Sequence, residues 1–288
     1  MPFLKRNRTA VFPLLLTVLL ITCSLAGCSV LSPDSRKDSG ETTVTPVIGM
    51  TREDRRTSSD SAKQIDLHTA GEELLITEGG DYRLSGEMNG TVHIAAEDQV
   101  VHLFLSGVSI RSVTAPAINV ESAGKVIITV ETGNDNTLAD GSKYISDLPD
   151  ACIFSMCDLT INGSGSLSVS GYYKDAIHSK DFLRILGAKL FARAKDDGLH
   201  GNDGVLINGA DISLEAEKNG IRTTKAAKAR KGNIEITGAT LSVIAGEHAL
   251  NAARSIYMTS SSAFLKGVMS NSKAEHGCYI EEGCLTNG

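Results

Sequence analysis

The chain has 288 residues, 41% hydrophobic and 22% charged, with a net charge of −6 and no tryptophan. That acidic balance argues against a general nucleic-acid role, because binding phosphates needs clustered Lys and Arg. Six cysteines without a C-x-x-C spacing, and no His-rich tract, argue against a zinc site.

Lys5, Arg6 and Arg8 open the chain with no acid nearby, and an apolar stretch from Ala10 to Leu25, broken by Pro13, follows. This order is that of a secretory signal, and the stretch is too short and interrupted for a membrane span. It ends Leu25-Ala26-Gly27-Cys28, which resembles a lipobox. Residues 1–27 are therefore expected to be cut away, leaving Cys28 to carry the lipid that holds the protein on the extracytoplasmic face of the cell membrane. Each buried methylene of such a lipid contributes about 0.8 kcal/mol. Cleavage would remove three positive charges and no negative ones, moving the net charge to −9. Cys152, Cys157, Cys278 and Cys284 then remain in an oxidising compartment, where disulfides are permitted and their pairing is left open.

Residues 28–63 follow Cys28 with many Ser, Thr, Asp, Arg and Pro and few large apolar side chains. They read as a flexible tether. From residue 64 to 288 the composition changes to short β-type runs punctuated by glycine. Tyr82-Arg83-Leu84-Ser85-Gly86, Thr91-Val92-His93-Ile94 and Val101-His102-Leu103-Phe104-Leu105 alternate cleanly and read as opening coils.

A period then emerges. Asp150-Ala151-Cys152, Asp175-Ala176-Ile177, Asp197-Gly198-Leu199, Asn219-Gly220-Ile221, His248-Ala249-Leu250 and His276-Gly277-Cys278 each give a polar, a small and an apolar residue. Their spacings are 25, 22, 22, 29 and 28 residues. Within the units, Leu159-Thr160-Ile161, Leu183-Arg184-Ile185, Val205-Leu206-Ile207 and Ile234-Glu235-Ile236 each lead to a glycine two residues on. Apolar residues two apart describe strands burying one face, and the glycine marks a bend. A unit this short cannot bury its apolar face alone, so the units must stack into a solenoid. The leucine-rich-repeat signature is absent, and a β-sandwich would not explain a triplet recurring once per unit. The fold class is therefore all-β, a right-handed parallel β-helix with coils of about 22–29 residues. A last coil left open would expose unpaired strand edges, which calls for more chain or a covering partner.

Several runs resemble a known family. They are Leu75-Ile76-Thr77-Glu78-Gly79-Gly80-Asp81-Tyr82, Leu105-Ser106-Gly107-Val108-Ser109-Ile110, Asn136-Thr137-Leu138-Ala139-Asp140-Gly141 and Asp196-Asp197-Gly198-Leu199-His200-Gly201. They are similar to a bacterial carbohydrate-binding β-helix domain found on cell-surface lipoproteins and related in fold to pectate lyases. The resemblance covers roughly residues 65–260 and implies calcium-supported binding of cell-wall or acidic polysaccharide. The triplet departs from the family's Asp-Gly-Ile at Asn219, His248 and His276, so any calcium row should thin toward the C-terminus.

Successive coils bring equivalent residues about 4.8 Å apart. Asp175 and Asp197 would then stack, with Asp150 on one side and Asn219 on the other. Two carboxylates at that distance repel by about 3.5 kcal/mol at an effective dielectric of 20. A calcium ion bound by Asp150, Asp175, Asp196, Asp197 and Asn219 would relieve this, whereas the same residues could simply make turns. For sugar binding, Tyr172 and Tyr173 offer a platform, with Lys174 and Arg222 as cations nearby. The basic stretch Arg222, Lys225, Lys228, Arg230 and Lys231 either meets an anionic glycan or is solvated.

The reading is a monomeric, lipid-anchored, non-catalytic protein that binds polysaccharide. One alternative is a calcium-dependent, pectate-type lyase using Lys174, Lys180, Lys195 or Lys218 as base. The other is a structural or adhesive surface protein.

Overall fold

The structure, a computed structural model, describes residues 28–31, 48–145, 149–228, 230–271, 278–281 and 284–285. The expected signal segment 1–27, tether residues 32–47 and the start of the His276 triplet lie outside the described residues. Alternation decides the strands. In Lys189–Ala194 the even positions Leu190, Ala192 and Ala194 are buried and the odd ones exposed. Each strand pairs in parallel with its equivalent one coil away, so the chain winds into a parallel β-helix.

Three faces form the coil. Face one holds Ser166–Gly171, Lys189–Ala194, Asp211–Ala216 and the beginning of Thr240–Ala252. Face two holds Ala151–Ser155, Asp175–Ser179, Leu199–Gly201 and Ile221–Arg222. Face three holds Leu159–Gly163, Phe182–Leu186, Gly204–Asn208, Asn233–Thr237, Ile256–Thr259 and Cys278–Glu281. In the opening coils, longer strands such as Thr91–Arg111 and Ile118–Val130 run through register shifts.

The expected inward column is present. Ile177 faces Leu199, Leu199 faces Ile221, and Ile221 faces Leu250, all of them fully buried. Each such side chain contributes about 1.5–3 kcal/mol on leaving water. The bend glycines Gly163, Gly187, Gly209 and Gly238 take φ of 107°, 73°, 62° and 61°. At Gly163 a Cβ would also lie 2.2 Å from the Val130 carbonyl oxygen, so no other residue fits that bend.

Two features correct the sequence reading. Ile153, not Cys152, stands opposite Ile177, so Asp150 is one position out of line with Asp175. The residues expected as tether also do not all stand free. Strand Cys28–Leu31 runs beside Cys278–Glu281, and residues 48–62 form a strap along the outside of face three. Ile48 is buried and its N–H donates to the Glu235 carboxylate, at 3.2 and 3.1 Å to its two oxygens. Arg184 Nε donates to Gly49 O at 2.8 Å. Asp54 is fully buried and accepts Thr160 Oγ1 at 2.6 Å and Lys125 Nζ at 3.0 Å. Asn162 Nδ2 donates to Asp54 O and Arg56 O. Polar pairing rather than an apolar stripe holds the strap, which is why composition alone assigns it to a tether.

Candidate functional site

The acidic row sits at the corner entering face two. Asp175 Oδ1 accepts the Asp197 backbone N–H at 3.0 Å, and Asp197 Oδ1 accepts that of Asn219 at 3.2 Å. The outer oxygens take side chains from the following coil. Asp175 Oδ2 lies 3.0 Å from His200 Nδ1, and Asp197 Oδ2 accepts Arg222 Nη1 at 2.9 Å. Asn219 Oδ1 is 3.0 Å from both His248 Nδ1 and Asn251 Nδ2. Asp150, though out of line, reaches His178 Nδ1 at 2.6 Å. Asp196 points elsewhere, its Oδ1 2.7 Å from Lys218 Nζ.

Calcium takes six to eight oxygens. The five expected ligands do not converge, and their oxygens are already engaged by N–H donors, so this donor set does not fit the ion.

Between the carboxylates stands an imidazole stack that the sequence reading did not single out. The rings of His178 and His200 lie 3.9 Å apart and 10° from parallel, both buried. His178 Nε2 is 3.2 Å from Asn202 Oδ1, while His200 Nε2 is buried with no hydrogen-bond partner among the described residues. Asp175, His178 and His200 bring three donor atoms together. However, an ion must lie near the plane of each imidazole that binds it, and two stacked planes cannot share one. Burial, then the charge of Asp197, pushes Asp175 up to about 8. Burial pushes His200 down to about 4. The signal for this column was in the sequence: His178, His200, Arg222 and Asn251 each follow a triplet head by three.

Face one offers a different environment. Tyr172, 59% exposed, edges a shallow groove of about 370 Å³ that is also lined by Arg193, Lys195, Glu215, Glu217 and Ile244. Arg193 pairs with Glu215 at 3.0 Å and Lys195 with Glu217 at 2.7 Å, so the groove is charge-balanced. Phe191 stands out from the same face, 52% exposed. Sequence reasoning missed Phe191, Arg193 and Glu215. The available signal was an aromatic on the outward phase of an alternating strand.

Of the expected sugar-binding residues, only Tyr172 opens onto the groove. Tyr173 stacks on Tyr144 at 4.3 Å, and Lys174 Nζ lies 4.9 Å from the Tyr173 ring centroid. Arg222 is held by Asp197. The basic excursion is turned onto the body: Lys231 and Lys225 pair with buried Asp203, and Arg254 donates to Ala226 O. The lysines considered as bases are likewise engaged. Lys218 is paired with Asp196, which raises its pKa, Lys195 with Glu217, and Lys180 Nζ lies 3.8 Å from Asp150. At Lys218 this pairing favours the protonated form, the opposite of what a base needs.

Fold and surface together define a parallel β-helix with an open, aromatic-edged groove on one face and a buried, hydrogen-bonded polar corner beside it. The chain belongs to the family of carbohydrate-binding domain-containing proteins, whose match spans residues 70–279. A carbohydrate-binding domain-containing protein of Acetivibrio thermocellus is 31% identical over 234 residues, covering 78% of this chain and 82% of that protein. A solved structure, described as the polysaccharide lyase-like protein from C. thermocellum in a gadolinium derivative, superposes with a TM-score of 0.68 at 30% identity. It covers 74% of this chain and 89% of that one.

Proposed function

We propose that this chain is a non-catalytic polysaccharide-binding protein, acting as a monomer and anchored through lipid on Cys28 to the extracytoplasmic face of the membrane. The observation that carries the reading is Tyr172, an exposed ring at the edge of a charge-balanced groove on a flat sheet face. Sugar rings present C–H faces that stack on aromatics, and their hydroxyls bridge paired charges without disturbing the balance. A polyuronate would have to draw Arg193 and Lys195 away from Glu215 and Glu217, so uncharged cell-wall glycan suits the groove better. The anchor rests on Leu25-Ala26-Gly27-Cys28. Against a lyase stands the pairing of three of its four candidate bases, Lys180, Lys195 and Lys218, with carboxylates.

The test is pull-down on insoluble neutral and soluble acidic polysaccharides, while following the ultraviolet absorbance of unsaturated uronates. Binding lost in Tyr172→Ala, with no absorbance gained, supports the reading. Product formation, or binding indifferent to Tyr172, overturns it.

A further inference from the structure

Tyr172 and Tyr173 are neighbours in sequence, yet only one is open, and the cause lies one coil back. Asp140 is 2% exposed and follows the strand Asp135–Ala139 of face one. Its Oδ1 accepts the Tyr172 backbone N–H at 2.5 Å, and the N–H of Tyr173 also bonds to it. Its Oδ2 accepts the Tyr144 hydroxyl at 2.7 Å, and that hydroxyl is also 2.9 Å from Ala151 O. The Tyr144 ring, fixed at its hydroxyl, supports Tyr173 from one side and Lys174 adds a cation. Tyr173 is thereby sandwiched and Tyr172 is left outside.

We infer that Asp140 is the positioning residue of the binding face: its carboxylate holds the Tyr172–Lys174 turn in the arrangement that presents the Tyr172 ring to a sugar. The inference rests on the proposed binding face. Three N–H and O–H donors converge on the two oxygens of one buried carboxylate, which accepts them all. Burial pushes Asp140 up to about 6, against the hydrogen bonds from Tyr144, Tyr172 and Tyr173. Among the described residues the titratable groups facing it are the Tyr144 hydroxyl and the Cys152 thiol, both pushed up by burial, with Asp150 beyond Tyr144.

The full chain without its signal segment is the test protein. Having no Trp and six Tyr, it reports tyrosine packing directly in near-ultraviolet circular dichroism. Asp140→Ala is expected to lose the tyrosine signal and weaken polysaccharide binding about tenfold. Asp140→Asn keeps an acceptor for both N–H groups, and its amide can donate to the Tyr144 oxygen while the Tyr144 hydrogen turns to Ala151 O, so it is expected to restore signal and binding. Parental tyrosine dichroism and binding in Asp140→Ala would overturn the inference. So would a loss of signal and binding in Asp140→Asn as large as in Asp140→Ala. If the parent binds no polysaccharide, the binding-face reading fails, while the tyrosine signal of the variants still decides whether Asp140 holds the turn.

Discussion

Asp175 Oδ2 lies 3.0 Å from Nδ1 of His200, a residue on the next coil, and both groups are buried. One proton serves the pair in place of the separate charges each would carry in water. Packed beneath Arg222 and beside Asp197, the pair sets how this corner responds to pH.

Stability should fall as pH rises from about 6.5 to about 8. Asp175 is raised from 3.8 to about 8, so its contribution is complete at low pH and lost as pH climbs through 8. His200 is lowered from 6.5 to about 4, so its contribution is lost as pH falls over that window. From 4 to 6.5 the two changes cancel, and above 6.5 only the loss from Asp175 remains. One proton over that upper window amounts to about 2 kcal/mol. Urea midpoints on both sides of the window measure it. Asp175→Asn, which has nothing to titrate, should flatten the slope, and an identical slope in that variant would assign the effect elsewhere.

Acid should loosen the strap. Burial alone would raise Asp54, but hydrogen bonds from Thr160, Thr51 and Lys125 hold it near 2. Arg56 holds Asp81 near 2. Beneath the strap, burial and then Arg56 push His102 down to about 4. All three shifts are depressions, so each contribution is present at neutral pH and lost on acidification. The His102 contribution goes between 6.5 and 4 and those of the two carboxylates below 3.8. Protection of the Ile48 and Thr51 amides against exchange, relative to the intrinsic rate at each pH, should fall accordingly, and protection independent of pH would refute the assignment. Asp54→Ala, which strands Lys125 under the strap, should destabilise by about 3 kcal/mol.

Calcium should leave the melting temperature within about 1 °C of its value in chelator. The reason is the engagement of Asp175, Asp197 and Asn219 by N–H donors in their neighbours. A larger rise with millimolar calcium, absent in Asp197→Ala, would show that the ion displaces those donors.

Phe191→Ala should weaken polysaccharide binding two- to tenfold, the worth of about one aromatic stacking contact, and leave stability nearly unchanged. Its ring is 52% exposed and Leu190 and Ala192 beside it carry the packing. Equal affinity would confine the binding face to the Tyr172 end of the groove.

Features that depend on residues two apart or one coil apart are legible in the amino-acid order. Alternation in Leu183-Arg184-Ile185 decides which side chains turn inward. The recurrence of the triplets decides that they stack, and glycine at position 163 decides where the coil bends. These are legible because burial and backbone sterics act on each unit in the same way. The tertiary structure alone decided the rest. Cys152 and Ile153 are both apolar, so only pairing with Ile177 shows which one joins the column, and with it that Asp150 falls out of line. Tyr172 and Tyr173 are equivalent until Asp140, 32 residues earlier, bonds the turn between them. The strap depends on Asp54 meeting Thr160, 106 residues away. A buried carboxylate is stabilised by whichever donors reach it. Those donors come from distant parts of the chain, so a local pattern does not encode them.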